Sequence, residues 1–324
     1  MVRPERGGAE GGRPVTQSPQ LISAGGTHPG AGVHRFAHEA MGAVFEVFIA
    51  GQEHEYARQA SAAAFEELDW LEGQLSRFRT TSDVSQVNAL KAGRAVRVGL
   101  AAFECLEVAA RVHADTGGAF DVTIGRLFDL WRPKDGSRPD PSDDEIARAR
   151  ARTGMHLLTL DKSEHAVGVR ADGVRVDLGG IGKGYAVDAM VTLLRDWSIE
   201  TVLVHGGQST VFGAGAPPGK DGWAVALMGP KGETLGTVCL KDQALSGSGS
   251  PPGQRHIIDP RTGRLAEGNL GAWAVTSKAT PADALSTAFL VMSATEVEQY
   301  GRRHPEVSGM LLAADGKVVR FGKW

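Results

Sequence analysis

The segment from Val174 to Asp188, VRVDLGGIGKGYAVD, constrains the fold of this chain more than any other part of it. Its first five residues alternate apolar and charged side chains, a pattern typical of a β-strand. Glycines then occupy positions 179, 180, 182 and 184, and Tyr185–Trp197 follows with apolar residues at helical spacing. The sequence therefore predicts a strand over Val174–Leu178, then a glycine-rich turn and a helix.

The glycine-rich turn has two interpretations. Backbone N–H groups in such a turn, together with a helix N-terminus, can bind a phosphate group. Lys183 would add a positive charge there, with Asp177 at the edge of the turn. Alternatively, the glycines only permit close packing between a strand and a helix. The segment matches neither the P-loop nor the dinucleotide fingerprint, so the turn alone leaves both interpretations open.

The composition argues against several classes of protein. Of the 324 residues, 42% are hydrophobic, which is enough for a substantial core in one large domain or two modest ones. The 35 basic and 38 acidic side chains nearly cancel, which argues against binding to nucleic acid by bulk charge. No apolar run reaches the ~18 residues of a membrane-spanning helix. Two cysteines cannot form a disulfide framework.

The first 35 residues differ in kind from the rest. They are rich in glycine and proline, hold few large apolar side chains and lack the apolar centre of a secretory signal. We therefore expect a disordered tail over residues 1–35, one domain over residues 36–324, and a cytoplasmic location.

Helical and strand patterns mix along the domain without a regular βαβ rhythm. Helices are predicted over Glu53–Phe78 and Leu100–Thr116, and strands over Met41–Ile49 and Thr201–His205. A loop rich in serine, glycine and proline is predicted over Leu245–Gln254. The succession indicates an α+β fold rather than a doubly wound one.

The start of a predicted helix near residue 282 combines a cap pattern with two oxygen-bearing side chains. Thr280 and Pro281 suit the N-cap and the first helical position, and Asp283 follows at capping-box spacing. Thr287 lies one turn further along the same face. These residues are either a cap and a half-buried hydroxyl, or two oxygen ligands for a hard cation such as Mg²⁺.

His256 opens the segment HIIDPRTG, which ends in a turn. It is either a packed or surface histidine, or a proton acceptor that works near neutral pH. Ser246 and Ser248 lie upstream, but no nucleophile-elbow pattern of a Ser-His-Asp hydrolase surrounds them.

Two aromatic residues could contact a ring-shaped ligand. In the segment TGGAFDVT, Phe120 would either enter the core or stand beside backbone groups and Asp121 that bond a ring edge. In the segment LSRF, Phe78 could stack on an aromatic ring, although core packing is the commoner fate of a phenylalanine.

Taken together, these segments resemble the FAD:protein FMN transferase family, also called the ApbE family. The resemblance covers nearly the whole chain from about His38, and the motifs occur in the order found in the family. The matching segments are Met41-Gly42, Leu75–Phe78, the serine and asparagine of SDVSQVN, Gly117–Trp131, Val176–Asp188, His205–Gln208, His256–Gly263 and Ala282–Ala288.

The resemblance implies an α+β fold of two lobes, with mixed or antiparallel sheets flanked by helices and a flavin cleft between the lobes. It also implies a reaction in which FAD is the substrate, Mg²⁺ the metal and a target flavoprotein the partner. FAD is cut at its pyrophosphate, the FMN half is esterified to a Thr or Ser hydroxyl of the target, and AMP leaves.

Site residues follow from the resemblance position by position. The residues that match the FAD site are Met41, Phe78, Ala119, Phe120, Asp121, Asp177, Lys183 and Ile257. Asp283 and Thr287 match metal ligands, with Gly180 contributing through its backbone carbonyl. The catalytic pair implied is Asp283, as the metal carboxylate, and His256, which would take the proton from the acceptor hydroxyl.

The chain departs from the family pattern near the expected entrance for the acceptor. Phe78 stands where a tyrosine is usual, and Gly247 where Thr or Ser is frequent. His205 and Gln208 also replace residues that are more often Asn or Asp. Two alternatives therefore stay open: an Mg²⁺-dependent pyrophosphatase that converts FAD to FMN and AMP, and a non-catalytic flavin-binding protein.

Overall fold

The computed structural model describes residues 22–23, 32–131, 140–229, 231–249 and 256–324. Its strands are β1 Ile22–Ser23, β2 Val33–Ala40, β3 Ala43–Ala50, β4 Ala95–Arg97, β5 Leu158–Asp161, β6 Ala166–Val169, β7 Val202–Gly206, β8 Thr210–Ala214, β9 Trp223–Met228, β10 Thr234–Leu240, β11 Gln243–Gly249, β12 Ile258–Asp259, β13 Arg264–Leu265, β14 Asn269–Thr276, β15 Ser308–Ala313 and β16 Val318–Phe321. Its helices are α1 His54–Leu75, α2 Asp83–Asn88, α3 Leu100–Asp115, α4 Gly125–Trp131, α5 Asp143–Arg150, α6 Gly182–Asp196, α7 Ala279–Val291 and α8 Ala294–Arg303, with a 3₁₀ turn at Met155–Leu157.

The strands form one large sheet and several small ones. The large sheet has the order β16-β15-β14-β11-β8-β7-β3-β2, and its neighbouring strands are antiparallel. Two three-stranded sheets have the orders β1-β9-β10 and β4-β6-β5. Helices and antiparallel sheets of this kind confirm the predicted α+β class.

The large sheet is buried on both faces. On β3, Phe45 and Val47 face a core shared with the helices, whereas Phe48 faces a second core beside the sheet β1-β9-β10. On β14, Trp273 belongs to the second core and its neighbour Ala274 to the first. Side chains alternate between the two faces of a strand. Because both faces of this sheet are apolar, its central strands have few polar positions, and their sequences are nearly continuous apolar runs.

Helices α6 and α7 lie close together over the large sheet. Helix α7 packs on β11 and β14, and α6 packs against α7 and α1. At Gly184, an added Cβ would lie 2.3 Å from the carbonyl oxygen of Ala279. Only glycine permits this approach, so the glycine-rich segment packs closely against a second helix, whereas the sequence suggested close packing between a strand and a helix.

Several predicted elements are confirmed and their ends adjusted. Helices α1 and α3 and strands β3 and β7 occupy the predicted places, while α6 begins at Gly182, before the predicted Tyr185. Strand β1 falls inside the range 1–35 predicted as a tail, and β2 overlaps its end, while residues 1–21 and 24–31 lie outside the described part. Among the described helices, none combines the length and hydropathy of a bilayer-spanning segment.

The predicted loop over Leu245–Gln254 is wrong in its first half, because Gln243–Gly249 is β11, a central strand of the large sheet. Small residues are suited to this position, since Ser246 and Ser248 lie beneath α7 and hydrogen-bond to its side chains. Residues 250–254 lie outside the described ranges.

The predicted strand over Val174–Leu178 is also wrong, although the segment is extended. Its only ladder contact among the described residues is a single bridge between Arg175 and Ile124. The backbone N–H of Asp177 also donates to the carbonyl of Val122 at 2.7 Å. The Asn88 side chain supplies two further hydrogen bonds: its Oδ1 accepts from the Val176 N–H at 2.6 Å, and its Nδ2 donates to the Val176 carbonyl at 2.9 Å. A side-chain amide thus replaces part of a neighbouring strand.

Candidate active site

Residues predicted from distant parts of the sequence meet in one cleft of about 390 Å³. The turn between β2 and β3, the segment after α3, the glycine-rich turn, the end of β11, the start of the β12–β13 hairpin and α7 each contribute to its wall. All the predicted site residues line it, namely Met41, Phe78, Ala119, Phe120, Asp121, Asp177, Gly180, Lys183, His256, Ile257, Asp283 and Thr287.

Asp283 lies at the bottom of the cleft and is 3% exposed. Its Oδ2 accepts a hydrogen bond of 3.0 Å from the backbone N–H of Gly184. Its Oδ1 lies 3.3 Å from the hydroxyl of Thr210 and 3.4 Å from that of Ser246. In the described part of the chain, the hydrogen-bond partners of this carboxylate are therefore all neutral. A buried charge with only neutral partners is an energetic cost that a bound cation would remove.

Thr287 places a second oxygen one helical turn after Asp283, on the same face of α7. Its Oγ1 lies 3.3 Å from the carbonyl oxygen of Asp283 and 3.1 Å from the hydroxyl of Ser248. Gly180 faces the same point, because an added Cβ there would meet Thr287 Oγ1 at 3.4 Å and the Phe120 ring at 3.2 Å. A side chain at position 180 would fill the space between the turn and α7.

These donors fit a hard divalent cation. The Asp283 carboxylate and the Thr287 hydroxyl are oxygen types that Mg²⁺ prefers. The described residues contain no group of three or more His, Cys, Asp or Glu side chains able to hold a metal. A cation held by these protein oxygens would therefore need substrate or water oxygens to complete its coordination shell, as is usual for Mg²⁺.

The predicted capping box at the start of α7 is wrong. The helix begins at Ala279, so Thr280 is inside it and Asp283 is past the capping position. The cap comes from Asp188 on α6, whose carboxylate accepts from the N–H groups of Ala279 at 2.7 Å and Thr280 at 2.8 Å. Burial raises the pKa of Asp188, and these hydrogen bonds only partly oppose the shift. Single-sequence spacing could not reveal a cap that comes from another helix.

Asp121 is structural rather than free to bond a ligand through its carboxylate. Its Oδ1 accepts from the backbone N–H and the hydroxyl of Thr123, at 2.7 and 2.6 Å. Its Oδ2 accepts from the backbone N–H of Met155 at 3.1 Å and lies 3.3 Å from His113 Nδ1. The carboxylate fixes the loop after α3 that brings Ala119 and Phe120 to the cleft.

Asp177 and Lys183 lie on either side of the glycine-rich turn. Oδ1 of Asp177 accepts a hydrogen bond of 2.8 Å from the Gly179 N–H, and Lys183 Nζ donates to the Gly179 carbonyl at 3.3 Å. Among the described residues that line the cleft, Lys183 is the only lysine or arginine. Its ammonium group thus places a positive charge in the cleft next to the turn.

The mouth of the cleft carries apolar side chains. Phe78 is 73% exposed, which is unusual for a phenylalanine. Met41 and Gly42 form the two-residue turn between β2 and β3, and both have positive φ, at 52° and 70°. Methionine rarely adopts this conformation, and such strain is typical of residues held at binding sites.

His256 stands at the entry to the β12–β13 hairpin, and its side chain is exposed at the cleft. The hairpin is anchored by Arg261, whose guanidinium binds Asp259 at 2.9 and 3.1 Å and Glu296 of α8 at 2.7 Å. This anchor fixes the segment that carries His256 and Ile257 relative to α7 and α8.

Sequence reasoning missed the hydroxyl groups around Asp283 and the supporting side chains Asn88 and Asp188. Thr210 and Ser246 belong to β8 and β11, and no local pattern relates them to α7. Asn88 and Asp188 occur within the matched motifs, so the family resemblance could have singled them out. The residues that they contact are distant in the sequence and are known only from the structure.

The fold and the cleft define an α+β protein with a buried carboxylate beside a glycine-rich turn. The model of the ApbE family matches residues 41–311. The chain therefore belongs to the ApbE family, which confirms the resemblance.

Named relatives agree with this assignment. The FAD:protein FMN transferase of Vibrio cholerae is 31% identical, over 69% of this chain and 71% of its own length. The FAD:protein FMN transferase of Salmonella typhimurium is 29% identical, over 82% of this chain and 80% of its own length. The solved structure of the ApbE protein from Thermotoga maritima has a TM-score of 0.80 at 27% identity, covering 89% of this chain and 97% of that one.

Proposed function

We propose that this chain is an Mg²⁺-dependent FAD:protein FMN transferase, which attaches FMN to a Thr or Ser hydroxyl of a target flavoprotein. The observation that carries the proposal is the meeting, in one cleft, of a buried carboxylate, a lysine-bearing glycine-rich turn and an exposed histidine. Membership of the ApbE family supports the same activity.

FAD would bind along the cleft. The exposed ring of Phe78 offers a surface on which a planar ring can stack, and Lys183 and the N–H groups of the glycine-rich turn suit a diphosphate. The remaining contacts are assigned to Met41, Ala119, Phe120, Asp121, Asp177 and Ile257. Asp121 would act through the loop it fixes, since its carboxylate is engaged.

Asp283, Thr287 and the carbonyl of Gly180 would hold Mg²⁺. When bound, the ion offsets the negative charge of the pyrophosphate and of the phosphate that leaves with AMP. The chain's own contribution is to keep these oxygens in place, through the Gly184 N–H and the hydroxyls near Asp283.

His256 would accept the proton of the acceptor hydroxyl. That oxygen then bonds to the phosphorus of the FMN half, the bond between this phosphorus and the bridging oxygen breaks, and AMP leaves with the bridging oxygen. A well-placed base contributes ~10²–10⁴-fold to such a reaction. Histidine is the side chain most often used for proton transfer of this kind.

The test is covalent flavin transfer to a target that carries an acceptor threonine, in the presence of FAD and Mg²⁺. We expect flavin fluorescence on the denatured target with the wild-type chain. His256→Gln should lose transfer by at least ~10²-fold while still binding FAD, and His54→Gln, an exposed histidine outside the cleft, serves as the matched control.

Two results would contradict the proposal. Release of AMP and free FMN with no flavin on any target would indicate a pyrophosphatase. FAD that stays intact after long incubation with Mg²⁺ and target would indicate a flavin-binding protein without turnover.

A further inference from the structure

We propose that Arg77 is a positioning residue for FAD. It acts indirectly, by holding the side chains of Phe78 and Asp177, which line the cleft. Its Nε lies 2.9 Å from Oδ2 of Asp177, and its Nη2 donates to Oδ1 of Asp129 at 2.9 Å. Its guanidinium carbon lies 4.8 Å from the ring centroid of Phe78 and 5.1 Å from that of Phe128. The side chain is only 11% exposed.

Arg77 supports the cleft without lining it. Phe78, Phe128 and Asp177 all line the cleft, whereas Arg77 lies outside that set. Its guanidinium therefore connects the aromatic mouth of the cleft to the carboxylate at the edge of the glycine-rich turn. These two regions come from segments almost 100 residues apart.

The geometry requires arginine rather than lysine. A guanidinium is planar, so its edge can face two carboxylates while its faces lie against aromatic rings. An ammonium is a compact charge and cannot occupy both kinds of position at once. The contact of 2.9 Å between Arg77 Nε and Asp177 Oδ2 is an ion pair without the alignment of a hydrogen bond. The coupling between the two residues is therefore electrostatic.

Two consequences for FAD follow, and both rest on the proposed function. Phe78 has little core packing to hold it, so the guanidinium on one face orients the ring and leaves the other face for a planar ring of the substrate. The charge of Arg77 also offsets that of Asp177, which would otherwise repel the diphosphate of FAD. Removing Arg77 should therefore weaken FAD binding, and the oxygen site at Asp283 should be unaffected.

The experiment measures FAD affinity, the Mg²⁺ concentration for half-maximal activity and the thermal midpoint for Arg77→Lys and Arg77→Gln. Arg79→Gln is the matched control, since Arg79 is two residues away, exposed, and paired only with Glu72 among the described residues. We expect Arg77→Gln to weaken FAD binding about tenfold or more, Arg77→Lys to recover part of the loss, and Arg79→Gln to change it less than about twofold. Turnover at saturating FAD and the Mg²⁺ requirement should stay close to those of the wild type.

A double-mutant cycle with Asp177→Asn tests the coupling. If Arg77 acts through Asp177, the loss caused by Arg77→Gln will be smaller in the Asp177→Asn background than in the wild type. Additive losses, or an Arg77→Gln variant that binds FAD as the wild type does, would overturn the inference. So would a fall in thermal midpoint for Arg77→Lys with no change in FAD affinity, because that result indicates a purely structural role.

Failure of the proposed function is separable from failure of this inference. Equilibrium binding of FAD is measured without target, so a wild-type chain that binds FAD but transfers no FMN overturns the transferase alone. A transferase whose Arg77 variants match Arg79→Gln overturns only the role of Arg77.

Discussion

The backbone N–H of Gly184 donates a hydrogen bond of 3.0 Å to the carboxylate of Asp283, from α6 to α7. One turn further along α6, Asp188 accepts the first N–H groups of α7. The two helices are thus joined by carboxylate-to-backbone bonds that run in opposite directions. This arrangement fixes the metal-binding candidate Asp283 relative to the glycine-rich turn that begins α6.

Gly184→Ala should destabilise the protein and reduce activity. The added methyl would meet the Ala279 carbonyl at 2.3 Å and the Cβ of Asp283 at 2.8 Å, so α7 must move away from α6. Overpacking of this kind costs about 1–3 kcal/mol in the free energy of unfolding. Urea unfolding and FMN transfer measure the two effects.

A glycine-to-alanine substitution at Gly73 should change the free energy of unfolding in the opposite direction, and it provides the control. Gly73 lies in α1, and an added Cβ there meets nothing within 4 Å. Alanine is the better helix former by about 0.5–1 kcal/mol, so Gly73→Ala should raise the free energy of unfolding. Equal effects at both positions would contradict the close approach of α6 and α7.

Asp283→Asn should abolish Mg²⁺-dependent transfer while leaving the fold intact. The amide oxygen can still accept from the Gly184 N–H, and the amide nitrogen faces hydroxyls that can accept a hydrogen bond. The charge that holds the cation is lost, so turnover should fall by at least ~10²-fold. Steady-state kinetics at several Mg²⁺ concentrations check this, with Asp196→Asn at the end of α6 as the control. Unchanged turnover would show that Asp283 is no metal ligand.

Phe78→Ala should weaken FAD binding without affecting stability. The ring is 73% exposed, so its removal costs the core little, whereas an aromatic stacking contact contributes about 0.5–1.5 kcal/mol. The dissociation constant should therefore rise about 2- to 12-fold. Phe78→Tyr keeps the ring and should bind FAD like the wild type, as measured by fluorescence titration. A thermal midpoint that falls in Phe78→Ala would instead indicate a structural ring.

Lowering the pH should weaken the ion pair between Arg261 and Glu296, which anchors the β12–β13 hairpin next to His256. Partial burial raises the pKa of Glu296, but hydrogen bonds from Ser293 and the charge of Arg261 outweigh it and leave the pKa below its ordinary value of 4.5. A carboxyl whose pKa is lower in the folded state stabilises it above the unfolded pKa, and that contribution is lost as the pH falls through the folded pKa. The loss should be below about 1 kcal/mol, because solvent screens the site.

Glu296→Gln tests that pH dependence. Glutamine still completes the α8 capping box but carries no charge, so its unfolding free energy should fall less than that of the wild type when the pH decreases below about 4.5. Glu298→Gln, exposed on the same helix, is the control. Parallel curves for the wild type and Glu296→Gln would exclude a contribution from this carboxyl.

The sequence predicts the long helices and the residues of the cleft better than it predicts the contacts that hold those residues in place. Helical periodicity locates α1 and α3, because one face of each helix is buried. The ordered motifs identify residues that are distant in the sequence but line the same cleft, such as Met41 and Thr287. The assigned roles of these residues stay predictions until variants are measured.

The errors have a common physical cause, since each involves a partner that is distant in the chain. Alternation over Val174–Leu178 indicates a strand, but the Asn88 side chain supplies two of the pairing groups in place of a neighbouring strand. Thr280 has the composition of a cap, but Asp188 of another helix performs that role. The Ser/Gly composition before residue 250 indicates a loop, yet it suits a buried strand that packs closely under α7.

The amide of Asn88 has a further consequence for how the protein opens. The backbone that leads into the glycine-rich turn depends on one side chain, one bridge and the bond from the Asp177 N–H to the Val122 carbonyl rather than on a ladder, so it can separate while every strand of the large sheet stays paired. The buried side chains of Val174, Val176 and Leu178 oppose that opening, but amide protons of residues 174–180 should still exchange with deuterium before those of β7 and β8. Substrate entry at this end of the protein would need no unfolding of the sheet.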